Sequence, residues 1–85
     1  MLKEMLKRLE ELEIAADKAD ALYEQNPEDE AAERAFDEAY NAEWEAFNEL
    51  AEMIVKSVPG VDTSTANIMI RQHRDQLHRI ASLEA

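Results

Sequence analysis

Apolar residues recur along this chain at helical spacing, in three stretches separated by two breaks. In the first stretch they follow one another in alternating steps of three and four: Leu2, Met5, Leu9, Leu12, Ala16, Ala19 and Tyr23. Such steps place side chains on one side of an α-helix. No segment alternates apolar and polar residues as a half-buried strand would. The pattern therefore predicts an all-α protein.

Each of the two prolines falls at a break. Asn26 is a good helix N-cap and Pro27 suits a first helical position, so the second helix is predicted to start there. At the second break Gly60 can end a helix, and Asp62 or Thr63 can cap the next one. The three predicted helices span about residues 2–24, 27–57 and 64–83.

The second predicted helix has the widest apolar face and would be about 46 Å long. Its main stripe contains Phe36, Ala39, Tyr40, Phe47, Leu50, Ala51 and Ile54, with Trp44 at one border. The stripe covers about half of the helix circumference, so we expect two neighbouring helices to cover it. The predicted fold is one domain over residues 1–85, an up-down-up three-helix bundle. The alternative is a helical hairpin that dimerises into a four-helix bundle.

Charge narrows the choice of partners. The net charge is −11, with −12 in residues 1–55 and +1 in residues 56–85. An acidic surface repels nucleic acid and anionic membranes and attracts basic proteins. The alternative interpretation is that the acidic residues only keep a small protein soluble. The chain has no cysteine and no apolar run long enough to cross a bilayer. We therefore expect a cytoplasmic protein with a basic protein partner, and no contact with nucleic acid or a membrane.

The segment 50–79 resembles a helix-turn-helix in outline, because two predicted helices flank a turn that contains Gly60. That motif has a small residue four positions before its turn glycine, where this chain has Lys56. The turn also contains Pro59. These departures agree with the expectation that the chain does not bind DNA directly.

Glu43 lies near the middle of the apolar stripe of the second helix. A buried carboxylate needs a partner, so an ion pair is predicted. If the third helix packs antiparallel to the second, Glu43 lies opposite His78, with Arg74 and Arg79 nearby. If the first helix lies there instead, Glu43 faces Lys7 or Arg8.

His73 occupies the centre of the apolar face of the third predicted helix. A single histidine in such a position is typical of a hydrogen-bonded core residue, and Asn48 or Glu52 could supply the partner. His73 and His78 are five positions apart and do not form a helical metal-binding pair, which needs a spacing of four.

The abundant acidic residues suggest binding more than catalysis. A carboxylate track along the second helix is predicted to contact the partner: Glu28, Asp29, Glu33, Asp37, Glu38, Glu45 and Glu52. A second row at 4-3-4 spacing follows one edge of the first helix: Glu13, Asp17, Asp20 and Glu24. The pairs Glu30–Glu33 and Glu49–Glu52 resemble the acidic motifs with which all-helical nucleotide pyrophosphohydrolases hold magnesium. With no nucleophile motif and no glycine-rich loop, we expect no catalytic, metal or cofactor site.

These observations favour a small acidic protein-interaction module, an adaptor or regulator without enzymatic activity, acting as a monomer or homodimer. One alternative is an acidic inhibitor of the phage type or nucleic-acid mimic that binds a basic protein surface. Another is a small metal-dependent all-α hydrolase.

Overall fold

The computed structural model describes residues 1–84, and the architecture over that range is all-helical. Its helices are α1 (Leu2–Gln25), α2 (Glu30–Ser57), α3 (Thr63–Gln72) and α4 (Arg74–Ala81). The all-α prediction is confirmed. The third predicted helix is wrong as a continuous element, because the chain leaves the helical conformation at His73, with φ −125° and ψ 40°.

The turn between α1 and α2 differs from the prediction in its capping residue. The backbone N–H of Asn26 donates to the carbonyls of Leu22 and Tyr23, so Asn26 closes α1. Asp29 caps α2 instead, and its carboxylate accepts a 2.9 Å hydrogen bond from the backbone N–H of Ala31. The start predicted at residue 27 is therefore three residues too early, because Pro27 belongs to the turn.

The second turn follows the prediction in the cap of α3, but α2 is closed by Val58 and not by Gly60. Gly60 has a positive φ of 82°, a conformation that favours glycine. Asp62 caps α3 by accepting a hydrogen bond from the backbone N–H of Thr65 at 2.8 Å. This bond stabilises the charged carboxylate and lowers the pKa of Asp62.

The long helices α1 and α2 form an antiparallel hairpin, in a molecule whose longest dimension is 47 Å. Helix α3 runs back along the C-terminal half of α2, where the Arg71 guanidinium lies 5.2 Å from the centre of the Phe47 ring. Helix α4 then runs antiparallel to α1, since Arg74 contacts Glu13 and His78 contacts Glu10. Together α3 and α4 form a layer that covers one end of the hairpin.

This layer divides the molecule into two regions. We call residues 1–12 and 46–84 the base, and residues 13–45 the stalk. The hydrophobic core lies in the base and draws on all four helices: Leu6, Leu9, Ala46, Phe47, Leu50, Ala51, Ile54, Ala66, Ile70, Leu77 and Ala81. In the stalk α2 packs against α1, and its other flank is open, with Tyr40 and Trp44 54% and 50% exposed. The expectation of two neighbours for α2 thus holds in the base and is wrong in the stalk.

Within residues 1–84, no helix combines the length and the apolar character that crossing a bilayer requires.

Candidate functional site

A groove runs along the open face of the stalk, between one row of residues on α1 and one on α2. The α1 row is Glu13, Asp17, Asp20 and Glu24, and the α2 row is Glu33, Asp37, Tyr40 and Trp44. Both rows have 4-3-4 spacing, so each lies along one side of its helix. In the base the same rows continue as Glu10 and Phe47, which contact α4 and α3. These eight residues, the stalk groove, therefore continue the surface on which α3 and α4 pack.

At the base the groove ends in an open recess of about 330 Å³, beside the junction of α3 and α4. Its lining residues are Glu13, Tyr40, Glu43, Trp44, Phe47, Arg71 and Arg74. The Trp44 ring is stacked on that of Phe47, with 6.0 Å between centroids and 3° between planes. The recess thus presents aromatic and arginine side chains, which are enriched at protein-binding surfaces, next to the carboxylates of Glu13 and Glu43.

Helix α4 neutralises part of the acidic row on α1. The Arg74 guanidinium donates to both carboxylate oxygens of Glu13, at 2.7 and 3.1 Å, and its Nε donates to the Ile70 carbonyl. The bond to Glu13 is the main cause that raises the pKa of Arg74. His78 Nε2 lies 3.1 Å from a carboxylate oxygen of Glu10.

Beyond α4 the acidic row has no such neighbours. Within the part of the chain that the structure describes, Asp17, Asp20 and Glu24 form no ion pair closer than 4.0 Å. The stalk contains twelve acidic and two basic residues, a net charge of −10 out of the −11 of the chain. The negative charge is therefore concentrated in the stalk, and half of the acidic residues of the stalk belong to the groove.

Glu43 is half-buried beside the recess, and its predicted pairing with His78 is wrong. Helix α4 runs along α1, so His78 contacts Glu10, and the guanidinium of Arg74 donates to Glu13. Burial raises the pKa of Glu43, and the neighbouring carboxylates of Glu13 and Asp17 raise it further. The positive charge of Arg74 acts in the opposite direction.

Neither Lys7 nor Arg8 supplies the alternative partner of Glu43 in the structure. Both side chains are exposed on the base, and Arg8 lies beside Ala46 and Glu49.

The prediction of His73 as a hydrogen-bonded core residue is also wrong. His73 is exposed at the junction of α3 and α4. The position of His73 follows from the different helices on which α3 and α4 pack. Helix α3 covers α2 and α4 covers α1, so the chain turns between them, at His73, and the side chain lies outside the core.

The seven acidic residues predicted to contact a partner are all exposed, but they do not form one track. Glu33 and Asp37 belong to the stalk groove, whereas Asp29 caps α2 and Glu28 lies in the turn. The other three lie about 100° further around α2: Glu38 and Glu45 on its outward side in the stalk, and Glu52 in the base beside Thr63 of α3. The predicted track therefore combines two different surfaces. It does not include Tyr40 and Trp44, although their spacing from Asp37 places them on the same face of α2.

The two acidic motifs do not converge on one metal ion in this chain. Both lie on α2, and Glu33 and Glu49 are separated by about 24 Å at 1.5 Å per residue. Among residues 1–84, no three histidine, aspartate or glutamate side chains are grouped as metal ligands.

Comparison with protein families, with characterised proteins and with solved structures gave no match for this chain.

Proposed function

We propose that this protein is an interaction module without enzymatic activity that binds a basic protein partner through the stalk groove. One observation carries the proposal: Tyr40 and Trp44 are half-exposed in a groove with carboxylates along both sides. Large aromatic side chains dominate the binding energy of many protein interfaces. Charge around them steers association and selects the partner.

In this proposal the protein acts as a cytoplasmic adaptor or regulator, with the base as a scaffold. The base contains the apolar core and holds α1 and α2 in register. The stalk extends from this scaffold and presents the groove. A chain without cysteine suits a reducing compartment, where disulfides do not form.

We propose that the free protein is a monomer in which α1, α2 and α3 run up, down and up, and α4 adds a fourth, descending helix along α1. The four-helix bundle of two hairpins is the alternative. It would bring together two stalks that each have a charge of −10. Like charges at such short distances oppose association, most strongly at low salt.

Affinity capture at two salt concentrations tests the proposed function. We expect the immobilised protein to retain a basic protein at about 0.05 M salt and to release much of it at about 0.5 M. The Tyr40→Ala/Trp44→Ala variant should retain far less. The matched control is Ile14→Ala/Leu22→Ala, which removes apolar residues that are 57% and 56% exposed but lie outside the groove. Equal retention by both variants and the unchanged protein would exclude the groove as the binding surface.

The outward carboxylates support a second candidate, an acidic inhibitor that mimics nucleic acid. Glu38, Glu45 and Glu52 are exposed on the side of α2 that faces away from the groove. A mimic acting through them should compete with double-stranded DNA for its partner. Replacing all three with glutamine should then weaken binding, whereas binding through the groove should stay nearly unchanged.

A further inference from the structure

We infer that the stalk groove binds one amphipathic α-helix of another protein, with basic side chains beside its apolar stripe. This inference rests on the proposed function and specifies the shape and chemistry of the partner. The groove is the open continuation of a surface that already binds helices, since α3 and α4 cover the same two rows of residues in the base.

The covering layer shows what kind of helix this surface accepts. Helices α3 and α4 place Ala66, Ile70, Leu77 and Ala81 in the core. They also place basic groups against the rows, with Arg71 over the Phe47 ring and Arg74 on the Glu13 carboxylate. A partner helix that extends the layer along the stalk would meet the same chemistry.

The groove fixes the pattern of the partner. Next to the base it offers the half-exposed rings of Tyr40 and Trp44, which suit an apolar side chain. Further along it offers carboxylates on both sides, from Asp17 to Glu24 on α1 and at Glu33 and Asp37 on α2. Glu13 and Glu24 are about 16 Å apart along α1, which equals three turns of a helix. The matching partner therefore has an apolar anchor at one end and lysine or arginine at steps of three and four.

A second copy of this chain fits the groove less well. Its stalk has the same charge of −10, and the two arginines beside the groove are already engaged, Arg74 with Glu13 and Arg71 over the Phe47 ring. Charge complementarity thus favours a basic helix from a different protein.

The test uses the full chain and a synthetic helical peptide of leucine and lysine with one apolar and one basic face. Trp44 is the single tryptophan, so its fluorescence reports directly on the groove. We expect the peptide to shift the emission to shorter wavelength as the indole loses contact with water. A leucine–glutamate peptide of the same pattern, and a lysine-rich peptide broken by proline, should produce no such shift.

Two charge-matched variants locate the binding surface. Asp17→Asn/Asp20→Asn removes two charges from the groove, and Glu38→Gln/Glu45→Gln removes two from the stalk outside it. We expect the first to weaken peptide binding about fivefold and the second to change it little. By calorimetry, Trp44→Ala should weaken binding roughly 30-fold, and Leu22→Ala should leave it unchanged. Circular dichroism checks that every variant remains helical.

Four outcomes would overturn the inference. Equal losses from the two charge variants would mean that general acidity, not the groove, attracts the peptide. Equal binding of the proline-broken peptide would remove the requirement for a helix. Burial of Trp44 that depends on protein concentration, without peptide, would identify a second copy as the occupant. Absence of peptide binding, with capture of a basic protein retained, would reject the helix while leaving the proposed function intact.

Discussion

The base and the stalk are built from the same two helices, yet they differ in packing and in charge. Eleven residues of the base form the hydrophobic core, whereas the buried apolar residue of the stalk is Ala16. The stalk has a charge of −10 and the base a charge of −1. Apolar side chains of the hairpin are therefore buried where α3 and α4 cover it and exposed where they do not.

The stalk keeps its helical conformation through local interactions. The rings of Tyr23, Phe36 and Tyr40 form a ladder between the two helices, with centroid distances of 5.7 and 6.1 Å. Alanine, the best helix former, is frequent in both stalk helices. Asn26 and Asp29 satisfy the backbone at the turn. These contacts order the hairpin without a third layer, and its other face stays exposed.

Truncation of a core residue gives the largest expected contrast between the regions. Leu50 is fully buried in the base, so Leu50→Ala should lower the free energy of unfolding by about 3 kcal/mol. Leu22→Ala makes the same chemical change at an exposed stalk position and should cost less than about 0.5 kcal/mol. Urea denaturation followed by circular dichroism measures both. Similar losses would mean that the stalk contributes to a common core.

Hydrogen exchange compares two halves of one helix. Amides of residues 46–54, in the base, should exchange through nearly global unfolding. Amides of residues 34–44, in the stalk, should exchange through local opening and at least about 30-fold faster. Mass spectrometry or NMR can follow both sets in one sample. Uniform protection along α2 would contradict the expected difference in local stability between the base and the stalk. A bound partner should slow the stalk amides selectively.

The sequence predicts where the long helices lie, but not the difference in packing between the base and the stalk. Helical spacing gives the all-α class, and the ends of α1 and α2 lie within three residues of the prediction. The wide apolar arc of α2 predicts that neighbouring helices cover α2 along its whole length, which is wrong in the stalk. Spacing records which residues share a face, but it does not record how far a neighbouring helix extends. The spacing therefore predicts Tyr40 and Trp44 on a covered face, whereas the core on α2 begins at Ala46, after both residues.

The predicted partners of His73 and Glu43 are wrong for the same reason, because spacing does not show how the helices pack. Ile70, His73 and Leu77 have the spacing of one helical face, and spacing contains no signal that the chain turns between two packing surfaces there. The predicted pairing of Glu43 with His78 depended on a helix register that α4 does not adopt. The spacing shows the row from Glu13 to Glu24, whereas its position opposite Tyr40 and Trp44 depends on how α1 packs on α2.

Arg74 links the regions, because it lies in the base and bonds to Glu13 at the start of the stalk. We expect a double-mutant cycle with Glu13→Gln and Arg74→Gln to give a coupling energy of about 1 kcal/mol, the upper end for an ion pair that water reaches. The matched cycle replaces Arg74→Gln with Arg79→Gln, at an exposed arginine on the same helix. Its coupling should be near zero. Equal coupling energies in both cycles would show a general effect of charge and not a specific interaction between Arg74 and Glu13.

The smallest expected effect concerns Glu43, where the stalk meets the recess. Its pKa is raised above 4.5 by burial and then by Glu13 and Asp17, so the folded chain holds this proton more tightly than the unfolded chain. The charged form therefore opposes folding above the folded pKa, and this penalty disappears as the pH falls below 4.5. Glu43→Gln should stabilise the protein at pH 7 by less than about 0.5 kcal/mol, because solvent screens a half-buried group. Glu45→Gln removes an exposed charge nearby, so any excess stabilisation by Glu43→Gln in denaturation curves isolates the effect of burial. A gain that persists at pH 3, or one that equals the gain from Glu45→Gln at pH 7, would contradict this account and place Glu43 with the freely solvated acids of the stalk.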